Sequence, residues 1–366
     1  MNGHQTPRRL PAGPHRVPAT ARCSVVLTAL LVAALVALLL AASLVVAGCG
    51  GKTAATTTAA PTTTLVPTTT AAPSTTAAPD TTAAPDTSST LAEGTFPATV
   101  TDDNKNSVTI NAKPMKIVST APANTETLFA LGVGSRVVGV TSLDDYPPEV
   151  KNIAKIGDFQ ANTEAIMALS PDLVVGYSGN EEALAPVQKA GTPVLIMNPT
   201  TLDGIYANIT TIGAATGATG AAAALIDVMK QDIKGIADKA AAATSKPTVF
   251  YAVDNTLWTV GPGSFVDELL NLLGVTNVAD TPAGGAAAKS YYQFSAEQLV
   301  AADPDVILLP GSVYKSAQEF TSDPRFAGMK AVKNGTVKVI DDVLVTRPGP
   351  RIAQGLQIVA DALGVK

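Results

Sequence analysis

The chain has 366 residues and carries 30 Asp and Glu against 25 Lys and Arg. The first 48 residues hold four Arg and no acid, which leaves 21 basic against 30 acidic residues in the remainder. This acidic balance argues against a nucleic-acid partner, because nucleic acids favour clustered positive charge. Both histidines and both cysteines lie at or before Cys49. The remainder therefore cannot build a Ser-His-Asp or Cys-His site, a zinc site of histidine and thiolate, or a disulfide.

Residues 1–48 are predicted to be a lipoprotein signal peptide. Residues 24–46 are uncharged and mostly apolar, which is long enough to span a bilayer, and the arginines before them keep the N-terminus inside. Small residues then precede Cys49, as in bacterial lipoproteins that are cut before a lipid-bearing cysteine. We expect an extracytoplasmic protein, lipid-anchored through Cys49 to the outer face of the cytoplasmic membrane. The alternative is an uncleaved membrane anchor.

Residues 49–95 are predicted to be a disordered tether. They repeat Thr, Ala and Pro, with 17 threonines and no aromatic residue among residues 50–95. Such a segment cannot bury enough apolar surface to offset its ordering entropy, and proline keeps it extended.

Residues 96–366 alternate short apolar, β-branched runs with helical patterns, which predicts an α/β fold with parallel strands covered on both faces. Predicted strands cover residues 116–119, 136–140, 173–177, 193–197, 248–253, 306–309 and 337–340. Predicted helices cover residues 125–131, 163–169, 182–189, 265–273, 296–302 and 352–363.

An alanine-rich segment separates the two groups of strands. From about residue 221 to 243 it has the apolar spacing of one long helix, and Pro247 follows its end. We therefore divide the chain into an N-terminal lobe (96–213), a connecting helix (214–245) and a C-terminal lobe (246–366).

The two lobes contain an internal repeat. The segments NTEAIMALSPDLVV, from Asn162, and SAEQLVAADPDVIL, from Ser295, align without gaps. Each predicts a polar helix cap, an acid in the first turn (Glu164 or Glu297), a helix, a Pro-Asp turn and a buried strand. Two lobes of one architecture, facing each other, would explain the pattern.

Residues 115–364 resemble substrate-binding proteins of the vitamin B12 and ferric-siderophore class, periplasmic binding protein class III, which are receptors of ABC importers. Five segments carry the resemblance: IVSTAPANTETLFALGVGSRVVGVTSLDDYPPEV, the two repeats, GPGSFVDELLNLLGV and RPGPRI. It implies two Rossmann-like lobes with parallel sheets joined by a single long helix, with the ligand between the lobes. It also implies a monomer that catalyses no reaction, needs no cofactor and delivers a corrinoid or a ferric siderophore to an ABC permease. Glutamates at the positions of Glu164 and Glu297 meet arginines of the permease in similar proteins.

The candidate ligand-binding residues are scarce aromatics at the ends of strands and in loops. Flat aromatic faces give a bulky ligand a large apolar contact at little entropic cost, and four such residues match the pocket of the resembling B12-binding proteins. Leu143 stands where that resemblance implies a further aromatic, and one arginine resembles a family residue that meets the ligand. The candidates are Phe159, Tyr177, Trp258, Tyr291 and Arg347.

Two polar residues are predicted to be helix N-caps, and one arginine is predicted to form an ion pair. Asn124 and Ser264 precede helical patterns and are expected to cap them. Arg351 begins a predicted helix, where the helix dipole disfavours a cation. We expect it to pair with a nearby acid.

Three alternatives remain open. In the first, the ligand is a ferric siderophore or haem and not a corrinoid. Only Arg347, Arg351 and Lys289 are available to bind an anionic ligand, which slightly favours a neutral ligand. In the second, the chain is an extracellular hydrolase that uses carboxylates in loops, although no Gly-x-Ser-x-Gly motif is present. The third alternative is a tethered adhesion or cell-wall module. The hydrolase acids would be Asp144, Asp145, Asp341 and Asp342.

Overall fold

The structure, a computed structural model, describes residues 92–280 and 290–365. The predicted signal peptide, Cys49, nearly all of the predicted tether and Lys289 lie outside the described residues. Among the helices of the described part, none has the length and apolar character needed to cross a membrane.

The N-terminal half is built on a five-stranded parallel sheet of order β5-β4-β3-β6-β7, beside an antiparallel pair, β1 and β2. The buried strands of this sheet match the predicted apolar runs, while the β1–β2 pair was not predicted. The strands are β1 (Ala98–Thr101), β2 (Ser107–Ile110), β3 (Ile117–Ser119), β4 (Val137–Val140), β5 (Ala154–Lys155), β6 (Leu173–Tyr177) and β7 (Val194–Met197).

Four helices accompany this sheet: α1 (Pro122–Ala130), α2 (Thr163–Ala168), α3 (Glu181–Lys189) and α4 (Leu202–Thr216). Helix α1 begins three residues earlier than predicted, because Pro122 fits the first turn, where no backbone N–H is needed. The prediction that Asn124 caps this helix is therefore wrong. Asn124 lies inside α1, and its amide Nδ2 donates to the carbonyl of Gly176, 2.8 Å away. Asn124 thus ties α1 to the end of β6.

The C-terminal half contains a four-stranded parallel sheet of order β10-β8-β12-β13 and an antiparallel pair, β9 and β11. Its strands are β8 (Thr248–Tyr251), β9 (Trp258–Val260), β10 (Thr276–Asn277), β11 (Tyr291–Gln293), β12 (Val306–Pro310) and β13 (Val337–Ile340). Its helices are α6 (Phe265–Leu272), α7 (Ala296–Ala302), α8 (Ala317–Thr321), α9 (Lys330–Lys333), α10 (Asp342–Thr346) and α11 (Ile352–Ala362). Ser264 caps α6 as predicted, since its hydroxyl accepts from the Asp267 N–H.

The connection between the sheets is the 24-residue helix α5 (Thr219–Ala242), about 36 Å long at the helical rise per residue. The chain reaches it through α4, a helix that was not predicted from the sequence. Gly217 separates the two helices with φ of 77°, a left-handed conformation that glycine adopts without steric cost. Two parallel sheets and one long connecting helix confirm the predicted fold class.

The internal repeat has a structural counterpart. Asn162 and Ser295 both cap helices through their side chains. Both helices are followed by a residue with positive φ, at Ser170 and Asp303. In each half the aspartate of the Pro-Asp turn then accepts hydrogen bonds from the start of the neighbouring strand. Asp172 accepts from the N–H groups of Met115 and Lys116, and Asp305 from the N–H and hydroxyl of Thr248.

The sheets share part of their hydrophobic core. Successive side chains of a strand point to opposite faces, and in each half one face packs into a separate cluster, around Val174 or Ile307. The other faces, which include Leu173 and Leu308, belong to one common cluster with Met229 of α5 and Leu356 of α11. The connecting helix is therefore embedded in the core and does not stand free as a linker.

Candidate functional site: the interlobe cleft

A cleft of about 690 Å³ lies between the two halves. Segments that follow strands of the N-terminal sheet form one side of it: residues 120–123 after β3, Leu143 after β4, residues 158–159 after β5 and residues 177–180 at the end of β6. Val343 and residues 346–348, which follow β13, contribute the opposite side. This is the place where ligands bind in open α/β sheets, outside the carboxyl ends of the strands. The volume is within the usual range for small-molecule sites.

Phe159 projects from a loop held by a neighbouring helix. Asn180, at the start of α3, accepts from the Ala161 N–H at 2.7 Å and donates to the Phe159 carbonyl at 3.3 Å. The loop is fixed at both ends, while the Phe159 side chain itself is 80% exposed. Such a large apolar surface facing a cleft is available for contact with a ligand.

Tyr177 ends strand β6 and is partly buried at the cleft. Its backbone N–H donates to the Thr120 hydroxyl at 3.1 Å, which fixes the strand end against the loop after β3. Burial raises the pKa of Tyr177, and the negative charge of Asp103 adds to the effect. Tyr177 and Tyr291, one from each lobe, line two cavities that share Thr346.

Arg347 belongs to an ion cluster that crosses between the lobes. Its Nη1 donates to Glu126 Oε1 and to Asp145 Oδ1, each at 2.7 Å. Arg351 also pairs with Glu126, through a 2.8 Å bond from Nε to Oε2 and a second bond from Nη2. The guanidinium of Arg351 lies 4.0 Å from the ring centroid of Tyr146. The expected ion pair of Arg351 is thus confirmed, with Glu126 as its partner.

Glu126 is the centre of this cluster, with a side chain only 1% exposed. Burial alone would lower the pKa of Arg347, but hydrogen bonds to Asp145 and Glu126 outweigh it and the pKa is raised. Burial likewise opposes ionisation of Asp145, yet its hydrogen bond from Arg347 and the charge of Arg347 hold its pKa below the usual range. Glu126 was not predicted to be a site residue, although it lies in the segment APANTE that carries the resemblance. Nothing local in the sequence pairs it with arginines more than 200 positions away.

Trp258 and Tyr291 stand on the antiparallel pair β9–β11. The pairing sets Trp258 opposite Gln293 and Val260 opposite Tyr291, so all four side chains lie on one face of the pair. Val260 and Tyr291 line a smaller recess beside the cleft. Trp258, 41% exposed, lies farther along the same face and lines neither of these two cavities. The described residues thus bring Phe159, Tyr177 and Arg347 together in the cleft and place Tyr291 and Trp258 beside it.

The four acids of the hydrolase alternative each have a structural partner. Asp144 accepts from the N–H and hydroxyl of Thr141, and burial raises its pKa. Asp145 pairs with Arg347, and Asp341 caps helix α10. Asp342 accepts from the N–H and hydroxyl of Ser312.

The two candidate docking glutamates occupy matching positions. Glu164 lies in the first turn of α2 and Glu297 in the first turn of α7, and both are exposed. The two halves therefore each present one acid at the start of the repeated helix.

Two α/β lobes around a ligand-sized cleft define a solute-binding protein. The sequence profile described as "Periplasmic binding protein" matches residues 117–344. The chain is 36% identical over 277 residues, 73% of this chain and 86% of the relative, to an uncharacterized ABC transporter substrate-binding lipoprotein of Bacillus subtilis. It is 29% identical over 280 residues to a cobalamin-binding protein of Halobacterium salinarum, covering 73% of this chain and 74% of that protein. A solved periplasmic heme-binding protein of Roseiflexus is similar in fold, with a TM-score of 0.61, 29% identity and coverage of 68% of this chain and 97% of that one.

The chain belongs to the periplasmic binding protein family, as the resemblance implied. The family description and the Bacillus relative indicate a location outside the cytoplasm and a role in substrate binding.

Proposed function

We propose that the protein captures a bulky, neutral corrinoid of the vitamin B12 type outside the cytoplasm and delivers it to the permease of an ABC importer. The cleft carries out no reaction; it holds the ligand between the lobes. The names of the Bacillus and Halobacterium relatives support an importer role and a corrinoid ligand.

The charge arrangement of the cleft is the observation that carries the corrinoid assignment. Arg347 is the only cation among the described residues that line the cleft, and its side chain already contacts Glu126 and Asp145. An anionic iron chelate would need unpaired cations there, because an anion in a partly desolvated cleft is costly without them. A neutral ligand leaves the ion cluster intact and uses the aromatic surfaces of Phe159 and Tyr177.

Haem or a ferric siderophore is the second candidate. The Roseiflexus protein that shares the fold is named as heme-binding, and the two tyrosines Tyr177 and Tyr291 offer phenol oxygens, a known ligand type for ferric haem iron.

Native mass spectrometry of the full-length protein, extracted in mild detergent from cells grown with both corrinoids and ferric siderophores, tests the assignment. A co-purifying mass that matches a corrinoid supports the proposal, and a haem or siderophore mass replaces it with the second candidate. Absence of any bound ligand, followed by failure to bind added cyanocobalamin, hemin or a ferric siderophore, contradicts both and favours an adhesion or cell-wall role.

The attachment and docking of the protein are part of the proposal. We propose lipidation at Cys49, a tether over residues 49–95, lobes at 96–213 and 246–366, and a monomer that meets the permease through Glu164 and Glu297. The word lipoprotein in the name of the Bacillus relative supports the lipid anchor. The exposure and matching positions of the two glutamates support the docking role.

A further inference from the structure

A second, smaller cavity of about 260 Å³ lies in the C-terminal lobe beside the main cleft. Tyr251 at the end of β8, Pro310 at the end of β12 and Asp342 at the start of α10 contribute to its lining. Thr346 lines both this recess and the main cleft. A ligand in the cleft can therefore extend an arm into the recess.

The Tyr251 side chain is the unusual member of the lining. The residue is 1% exposed, and its hydroxyl has no hydrogen-bond partner among the described residues. A buried hydroxyl without a partner destabilises the folded state, so such groups are rare in native proteins. Burial raises the pKa of Tyr251, and the nearby Asp342 carboxylate raises it further. The hydroxyl thus stays protonated, and Tyr251 shares the lining of the recess with Tyr291 and Asp342.

The remaining polar groups of the recess mainly accept hydrogen bonds. Ser312 holds the Asp342 carboxylate through its N–H at 2.9 Å and its hydroxyl at 2.7 Å. Each carboxylate oxygen keeps a further lone pair for another donor. No cation is present among the described residues of the lining, and most of the others are apolar, Val253, Val260 and Val266 among them. Tyr291, which also lines the recess, is 50% exposed.

We propose that this recess is a subsite for a neutral carboxamide arm of the ligand, an inference that rests on the corrinoid function proposed above. The amide oxygen accepts from the Tyr251 hydroxyl, and the amide N–H donates to the Asp342 carboxylate. A carboxamide supplies the acceptor and the donor that these two groups need. A carboxylate arm supplies no donor for Asp342 and is repelled by it. The recess therefore selects macrocycles with amide arms over macrocycles with acidic arms.

Binding of cyanocobalamin and of its monocarboxylic acid derivatives, in which one side-chain amide is replaced by a carboxylate, tests this inference. The full-length protein, Tyr251→Phe and Asp342→Asn are titrated with each probe, and the quenching of tryptophan fluorescence or the corrinoid absorbance is followed. Tyr314→Phe is the control for Tyr251→Phe, because it removes a hydroxyl from a tyrosine that is also buried but lines a different cavity. Asp341→Asn is the control for Asp342→Asn, because it removes a negative charge one residue away and keeps a side chain that can cap α10.

Loss of the Tyr251 hydroxyl is expected to weaken cyanocobalamin binding about three- to tenfold, the size of one neutral hydrogen bond. The melting temperature of the ligand-free protein should stay the same or rise, because the unpartnered hydroxyl is gone. Wild-type protein should bind at least one monocarboxylic acid isomer more weakly than cyanocobalamin, and Asp342→Asn should reduce that difference. Both control variants should bind like the wild type.

Two results would overturn the inference in different ways. Equal affinity of Tyr251→Phe and wild type for cyanocobalamin, or no change in discrimination for Asp342→Asn, removes the subsite while leaving the corrinoid function standing. No cyanocobalamin binding by the wild type removes the proposed function, and the subsite with it.

Discussion

Tyr177 and Trp258 are both aromatic candidates, yet they stand at different depths beside the cleft. Tyr177 is partly buried and lines the cleft directly, whereas Trp258 is 41% exposed and lies outside the cleft lining, on the face that it shares with Tyr291. Contacts that become fully desolvated contribute most to binding, and rim contacts contribute little. The two residues should therefore contribute different amounts to the free energy of ligand binding.

Tyr177→Ala is expected to weaken cyanocobalamin binding by about 1–3 kcal/mol, the usual range for a buried aromatic contact, and Trp258→Ala by less than about 1 kcal/mol. Because Trp258 is the only tryptophan, its fluorescence should still be quenched when the wild type binds. Tyr206→Ala, on helix α4 beside Lys230, is the control and should not change affinity. An unchanged affinity in Tyr177→Ala with a native circular dichroism spectrum would make Tyr177 a packing residue.

Asp280 gives the folded state a predictable pH dependence. Burial and then the charge and hydrogen bond of nearby Asp267 raise its pKa from 3.8 to about 7. The folded state thus holds a proton that the unfolded state has released, so stability is fully present below about pH 4 and declines as pH rises through about 7. Because the carboxyl is largely exposed, we expect a loss on the order of 1 kcal/mol.

Asp280→Asn should flatten this decline in urea unfolding measured between pH 4.5 and 8. Asp227→Asn, on an exposed position of α5, removes one charge elsewhere and should keep the wild-type slope. If Asp280→Asn and the wild type lose the same stability over this range, Asp280 is not the group that titrates.

The strands that the sequence predicted are the buried ones. Runs such as Leu173–Tyr177 and Val306–Pro310 are apolar on both faces, and this feature is local to the sequence. The pairs β1–β2 and β9–β11 have short, half-exposed strands, so their sequences carry no such signal. Helix α4 was missed because its sequence, LDGIYANITTIGAAT, is rich in Gly, Thr and Ile, which are weaker helix formers than Ala or Leu. The cleft residues at strand ends were predictable, while the partners of Arg347 depend on the packing of distant elements.

The ion cluster between α1 and the C-terminal segment allows a direct comparison of two acids. Glu126 is 1% exposed and is shared by two arginines, whereas Asp145 is 62% exposed and meets one. Glu126→Gln should destabilise the protein by about 3 kcal/mol, because it leaves partly buried guanidinium groups without a full partner. Asp145→Asn should cost less than about 1 kcal/mol. Urea unfolding measures both, and equal losses would contradict the ranking by burial.

The repeated helices α2 and α7 are the elements through which we expect docking. The double variant Glu164→Gln with Glu297→Gln should keep its ligand affinity and lose binding to the reconstituted permease, because charged rim contacts set orientation and association rate. The wild-type interaction should weaken with salt. Glu149→Gln with Glu319→Gln, two exposed acids, one in each lobe, should bind normally. Normal transport by the first double variant would leave Glu164 and Glu297 as acids that only complement helix dipoles.

The connections between the two lobes are rigid. One long helix joins them, a common hydrophobic cluster runs from sheet to sheet through that helix, and the ion cluster adds a second contact at the cleft. Hinge motion needs a few residues that absorb a change of φ and ψ with little loss of packing. A helix embedded in the core does not supply them.

The protein should therefore close little when it binds its ligand. Small-angle scattering with and without cyanocobalamin should give nearly the same radius of gyration, and a contraction of several ångström would contradict this. The same measurement on Glu126→Gln tests the ion cluster. A larger ligand-dependent change in the radius of gyration of that variant would show that the cluster restrains the lobes.

The common cluster also bears on what would happen if the chain were cut. Residues 244–246, between the end of α5 and β8, are exposed, and a protease that cleaves there breaks only the covalent link. Residues on both sides of the cut, such as Ile233 and Val249, remain packed in one cluster. The two fragments should stay together as a noncovalent heterodimer and unfold in a single step. Neither fragment should fold when made alone, while both expressed together should reassemble, so the molecule is a natural candidate for fragment complementation.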